Sequence, residues 1–366
     1  MNVVRATVVI LAFTVNAGVA QDGYDPGGAP KADRGDRAEH VVDDAAAGDC
    51  CGNARGDCCA AACCGCCCPS WTVRAGYVHL RRERLGSDFA VLEGRMLFPT
   101  GPLMPIYTAT RFDFDSSPGL DLSIIRDLGC GRGVELRYLG VEDFASDETP
   151  RFDTTLMPAT NPMTNTGSNP GTSTNVHYES KLWSLELLGR RNCGWLHWLY
   201  GFRYFSLDER FNTSLISILP TRTAFQTQND LFGFQLGTEA CLWRNCGGLH
   251  VDGITKAGIY LNHAEAMVSA TSVGSPRFNR FGRARDDRAA FVGELGVVAQ
   301  YDVSCSLSVR CGYQLLLLDG VALGADQVPS TGEVSLGGIP ITPIDLGVDR
   351  SSLLFHGFNV GLEYRR

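Results

Sequence analysis

At 366 residues and a net charge of −8, the chain offers a nucleic-acid partner no electrostatic support. Charged residues make up 20% and hydrophobic residues 44%, a mix too polar for a helical membrane protein. The richest internal apolar run, Leu315 to Leu318, stops at Asp319, far short of the roughly 18 residues a spanning helix needs.

The amino terminus has the three parts of an export signal: Arg5, an apolar stretch from Ala6 to Val15, and the small residues Gly18 and Ala20 before Gln21. Residues 1–20 are therefore expected to be a signal peptide, and no cysteine at the cleavage site suggests a lipid anchor. Residues 21–49 are acidic and carry Pro26, Gly27, Gly28 and Pro30 with few large apolar side chains, which predicts a disordered linker. Residues 50–69 form a periplasmic cysteine-rich tract with Cys50, Cys51, Cys58, Cys59, Cys63, Cys64, Cys66, Cys67 and Cys68. An exported chain meets an oxidising compartment, so disulfides are favoured there over a thiolate metal cluster. No histidine interrupts the tract and strict Cys-x-x-Cys pairs are absent, so neither metal nor cofactor is expected.

From residue 70 onward, apolar and polar residues alternate with the period of a strand that has two unlike faces. Ten strands are predicted: Trp71 to Glu83, Gly119 to Leu128, Gly133 to Phe144, Val176 to Arg190, Trp195 to Glu209, Thr227 to Trp243, Leu249 to Ala270, Arg288 to Asp302, Cys305 to Leu318 and Leu353 to Arg365. Many exceed the mean soluble strand of about 5 to 6 residues and suit the roughly 9 to 11 that cross a bilayer at a tilt. Phe89 to Leu92 and Tyr107 to Phe114 offer a twelve-strand alternative.

The connections alternate in length. Gly129 to Arg132, Arg191 to Gly194, Arg244 to Gly248 and Val303 to Ser304 are short, whereas Arg84 to Pro118, Ala145 to Asn175, Arg210 to Gln226, Thr271 to Asp287 and Asp319 to Ser352 are long. Tight periplasmic turns and long outer loops have this rhythm, and an even strand number puts both termini on the periplasmic side. The predicted fold is an all-β, antiparallel, up-and-down transmembrane barrel in contact with outer-membrane lipid.

Three stretches carry a resemblance: Trp71-Thr72-Val73-Arg74-Ala75-Gly76-Tyr77, Gly131-Arg132-Gly133-Val134-Glu135-Leu136-Arg137-Tyr138-Leu139-Gly140, and Gly357-Phe358-Asn359-Val360-Gly361-Leu362-Glu363-Tyr364. They resemble the planctomycete-type outer-membrane β-barrel protein family, also called a β-barrel porin family. The resemblance implies a pore-forming or structural envelope role and supplies no catalytic residues. One departure is the end of the chain, where Tyr364 is followed by Arg365 and Arg366 rather than closing on an aromatic residue.

The polar face of the predicted strands collects Arg74, Arg137, Arg203, Lys256 and Arg310 with Glu135, Glu186, Glu239, Glu294 and Glu363, five of each sign. In a narrow barrel these side chains are expected to pair and fill the interior; the alternative is a charged constriction in a conducting lumen. Trp71, Tyr77, Tyr138, Trp198, Tyr204, Tyr301, Tyr313 and Tyr364 fall on the apolar face, as interfacial girdles would.

The seven histidines are scattered, and no nucleophile elbow, zincin pair or phosphate loop is present, so no enzyme is expected. A hydrolase at the barrel rim is the least favoured alternative.

Cys130, Cys193, Cys241, Cys246, Cys305 and Cys311 all fall in or near the short turns, on the same side as the tract. Fifteen is an odd number, so pairing cannot be complete within one chain. The expected function is porin-like or envelope-structural. The alternative is a non-conducting anchor whose tract is disulfide-linked to other envelope proteins.

Overall fold

The computed structural model describes residues 70–85, 90–96, 103–108, 114–149, 156–160, 173–193, 195–216, 221–245, 247–272, 280–327 and 348–366. Two units divide the chain, Met1–Ala47 and Gly48–Arg366, and every described residue belongs to the second. The expected signal peptide, linker and cysteine tract lie outside the described residues, as does Cys246.

Ten strands form one closed antiparallel barrel: β1 (Trp71–Leu85), β4 (Ser117–Gly129), β5 (Arg132–Glu148), β7 (Ser173–Cys193), β8 (Leu196–Ile216), β9 (Thr221–Arg244), β10 (Leu249–Ser272), β11 (Arg280–Asp302), β12 (Leu307–Val321) and β13 (Ser351–Arg365). Neighbours in sequence pair throughout, and the ring closes where β1 meets β13, from Thr72 opposite Arg365 to Leu85 opposite Ser352. Closure leaves no edge strand and satisfies the backbone internally, which a lipid environment demands.

The twelve-strand alternative is corrected. β2 (Ala90–Met96) and β3 (Leu103–Thr108) do form a hairpin, but it pairs with β6 (Leu156–Thr160) in a separate three-stranded sheet. β1 and β4 pair directly from Trp71 opposite Arg126 to Leu80 opposite Ser117, which leaves no place between them for a further hairpin.

The outward face carries an apolar belt. Leu122, Leu136, Leu187, Leu236, Ile259 and Val297 are all exposed on it. Trp71, Trp198, Trp243, Tyr301 and Tyr364 lie toward the short-turn end, and Tyr77, Tyr138, Trp183, Tyr204, Phe232 and Tyr313 toward the other. Two aromatic girdles around an apolar band are what a barrel needs at the two interfaces of a bilayer.

Beyond the upper girdle polar residues enter the outward face, as with Lys181, Asp208, Gln228 and Arg285, although Met267 and Phe281 are also exposed there. β9 and β10 each run 24 residues, so the wall continues well past the bilayer on the long-loop side. Much of the expected loops Arg210 to Gln226 and Thr271 to Asp287 is therefore strand: β8 runs to Ile216, β9 begins at Thr221 and β11 at Arg280. The reason is local. Once the outer face meets water, Asn212, Thr213 and Ser214 are compatible with either face, and the period-two signal that marks a strand in lipid disappears.

Candidate functional site

Inward-pointing residues of the ten strands meet in a lumen narrow enough for opposite walls to touch. At membrane level they form two ionic tiers. In the middle tier Arg137 reaches Asp121 (Nη2–Oδ2, 2.7 Å), Glu186 (3.3 Å) and Glu294 (2.7 Å). Arg203 joins Glu186 at 3.1 Å and Glu294 at 2.5 Å, and Lys256 joins Glu186 at 2.8 Å and Glu294 at 3.7 Å. Three cations face three carboxylates.

The lower tier, nearer the short turns, repeats that balance. Arg74 binds Glu363 (Nε–Oε2, 2.7 Å) and Glu239 (3.5 Å), Arg190 binds both Glu135 and Glu239, and Arg310 lies 3.6 Å from Glu363. Gln300 and Arg365 also donate to Glu363, at 3.0 and 2.7 Å. All ten charged residues singled out in the sequence thus stand in one of the two tiers. Asp121 and Arg190 had not been singled out. Each has the right strand parity, Asp121 between outward Leu120 and Leu122 and Arg190 four residues past Glu186, but Arg190 also adjoins Arg191 at a strand end, which reads as turn.

Burial makes the balance necessary. Glu186 is fully buried and Arg203 is 2% exposed. A charge buried without a partner costs several kcal/mol, roughly 3 to 5 when one member of a buried pair is removed. The remaining polar atoms extend the lattice: Gln235 donates to Glu186 at 2.9 Å and accepts from the Tyr260 hydroxyl at 3.0 Å. Between the tiers lies a cavity of about 80 Å³ lined by residues of both, among them Arg74, Arg137 and Glu239, together with apolar side chains such as Ile254 and Val298, with room for a few water molecules.

Above the tiers the interior becomes apolar. Leu80, Leu139, Phe144, Leu182, Phe205, Leu207, Leu231, Leu316 and Phe355 form a buried core inside the barrel wall. This departs from an interior that is polar throughout. Along β8 the inward residues read Arg203, Phe205, Leu207, Glu209 and Phe211, so the lumen face changes character where the outward face leaves the lipid.

The chain itself completes this upper seal. After β12, residues Ala322 to Gln327 turn inward, with a short 3-10 helix at Gly324–Gln327, and all are buried. Asn229 clamps Ala322 with two bonds: its Nδ2 donates to the Ala322 carbonyl at 2.8 Å and its Oδ1 accepts from the Ala322 N–H at 2.7 Å. The Gly324 N–H donates to Glu209 at 2.9 Å. Glu209 also accepts from Arg82 and from the Tyr178 hydroxyl, both at 2.5 Å, and the Arg82 guanidinium lies 4.1 Å from the Phe114 ring centre. Burial, reinforced by Glu209, pushes the Tyr178 phenol well above its ordinary pKa, so it keeps the proton it donates.

At the outer end of β7, His177 is held between two carboxylates, with Nδ1 at 2.5 Å from Asp147 and Nε2 at 2.7 Å from Glu179. Both ring nitrogens are engaged, so neither is placed to take a proton from a nucleophile. His263 pairs with Asp287 on the outer wall, and His250 lies 3.5 Å from Asp252 near the opposite end. Among the described residues no group of three His, Cys, Asp or Glu side chains could hold a metal ion.

Cys130 sits in the β4–β5 turn, Cys193 ends β7 and Cys305 lies in the β11–β12 turn, all exposed. Cys241 stands near the lower end of β9. Cys311 is placed differently from expectation: it shares the parity of Val309 and Tyr313 and faces outward within the apolar belt.

Residues 147–365, more than half of the chain, match the model of the family described as Putative beta barrel porin-7 (BBP7). No curated protein matches the chain. Among solved structures it is similar to the outer membrane protease OmpT of Escherichia coli, with 10% identity, a TM-score of 0.43 and coverage of 81% of this chain and 96% of that one. It is also similar to the translocator domain of the autotransporter NalP of Neisseria meningitidis (10% identity, TM-score 0.33, 81% and 89% covered) and to an anion-selective porin of Comamonas acidovorans (9% identity, TM-score 0.19, 81% and 98% covered).

Proposed function

The chain belongs to the beta barrel porin-7 family, and from that premise we propose that it serves the outer membrane as a closed, envelope-structural barrel rather than as an open diffusion pore. Export through residues 1–20 belongs to the same reading, which puts the short turns and both termini in the periplasm. The observation that carries it is contact across the full width of the lumen. Arg137 of β5 binds Glu294 of β11, and Arg74 of β1 lies 3.5 Å from Glu239 of β9; in both cases the partners are five strands apart in a ring of ten.

Two unlike seals in series support the reading further. An ion crossing the lumen has to break a balanced ionic lattice and then enter an apolar core, and each step removes its hydration without replacing it. The reading assigns no catalytic role.

Planar-bilayer recording of the refolded protein tests it. The expected result is a membrane whose conductance stays near that of the bare bilayer. A large, steady, weakly selective conductance would replace this reading with that of a diffusion porin.

A further inference from the structure

We infer that the periplasmic rim carries a covalent docking point for the chain's own cysteine tract, formed by Cys130 and Cys193 on two adjoining turns. The inference goes beyond the closed barrel and shares with it only the placement of the short turns in the periplasm.

Three observations bring the groups together. First, Cys130 and Cys193 are free and exposed, and their turns are joined: the Asn192 N–H donates to the Gly131 carbonyl at 2.6 Å. Second, Cys130 has φ of +54° between Gly129 and Gly131, a left-handed conformation that favours glycine or asparagine, so a reactive side chain stands where the backbone disfavours one. Third, the path of the chain delivers the tract to this place. The Ser70 carbonyl accepts from the Asp127 N–H at 3.0 Å, three residues before Cys130, while Cys68 is two residues before Ser70. At about 3.5 Å per residue, Cys68 and Cys130 are each within roughly 10 Å of that hydrogen bond, a gap that the ten residues from Cys58 to Cys68 can close.

Parity adds a reason to look outward. The tract holds nine cysteines, so at least one cannot pair within it. Contiguous cysteines such as Cys66, Cys67 and Cys68 also bridge each other poorly, because a disulfide wants Cα atoms about 4.4 to 6.8 Å apart. Each bridge from tract to rim removes two protons and two electrons from a pair of thiols. They pass to the disulfide of a periplasmic dithiol–disulfide carrier, which leaves as a dithiol.

The test uses full-length protein from oxidised envelopes, alkylated before lysis and digested with trypsin without reduction. Peptide 56–74 contains seven tract cysteines, 127–132 contains Cys130 alone and 192–203 contains Cys193 alone. The expected product is 56–74 joined to 127–132 or to 192–203. In a Cys130→Ser, Cys193→Ser double variant that product vanishes and at least one tract thiol becomes alkylatable, while heat-modifiable migration on a gel is kept. Complete alkylation of both rim peptides overturns the inference. So does a bridge found only between light and heavy chains when isotopically distinct copies are co-expressed. Neither outcome bears on conductance, which tests the closed barrel separately.

Discussion

Arg137 on β5 and Glu294 on β11 stand on opposite walls of the barrel, yet Nη1 of one lies 2.7 Å from Oε1 of the other. Glu294 also receives Arg203 at 2.5 Å and Lys256 at 3.7 Å, so a single carboxylate ties three cations from three strands. Removing its charge leaves buried cations short of a partner. The Glu294→Gln variant is expected to lose about 3 to 5 kcal/mol of stability, the scale of a broken buried pair. Denaturant-induced loss of heat-modifiable migration measures it, and an unchanged midpoint would show the lattice to be energetically idle.

The belt has a definite height, and two positions on the same face of β9 test it. Phe234 is exposed in the middle of the apolar band, while Gln228 is exposed above the upper girdle. Arginine at Phe234 should cost about 2 to 4 kcal/mol, and arginine at Gln228 close to nothing. Equal costs at the two sites would mean that the lipid boundary is misplaced.

Much of this was legible in the sequence because lipid imposes a strong filter. Within the belt each strand must put apolar residues out and fill a narrow lumen with the rest, so Phe232, Phe234 and Leu236 on one face and Glu239 on the other announce both faces at once. Above the belt that filter is gone. The extensions of β8, β9 and β11 read as loops because polar residues suit either face, and the apolar upper core was hidden because Phe205, Leu207 and Phe211 share parity with Arg203. The inward turn of Ala322 to Gln327 had no local signal at all. It depends on Asn229 and Glu209, about 90 and 115 residues earlier in the chain.

The outer end of β7 should respond to pH. Hydrogen bonds to Glu179 and then Asp147 raise the His177 pKa above its ordinary value of about 6.5. A raised folded-state pKa means that the protonated ring contributes stability fully below the unfolded value and loses it as the pH climbs through the folded one. The rungs where His177 faces Asp147 and Val176 faces Glu148 should therefore be better protected from amide exchange near pH 6 than near pH 8.5, after correction for the intrinsic rate. His177→Gln should erase the difference. If the wild-type rungs are equally protected at both pH values, the clamp is not charged in the folded protein.

The two seals in the lumen should be separable. Asn229→Ala removes both bonds to Ala322 and leaves a buried N–H and carbonyl without their partner, at about 1 to 3 kcal/mol. The inward segment should then loosen, but the ionic tiers beneath it are untouched, because the hydrogen bonds of Asn229 go to Leu207, Asn262 and Ala322, none of them a member of either tier. A bilayer containing this variant should stay nearly silent. Glu294→Gln alone weakens the lattice beneath an intact apolar core, so it too should conduct little. Only the double variant opens both barriers along one path, and with cations left in excess its current should favour anions. The signature is therefore non-additive: little conductance from either substitution and a clear, anion-preferring one from the pair. If Asn229→Ala by itself gives the full current, the ionic tiers are not a barrier. If the folded double variant stays silent, the lumen is held shut by contacts beyond these two.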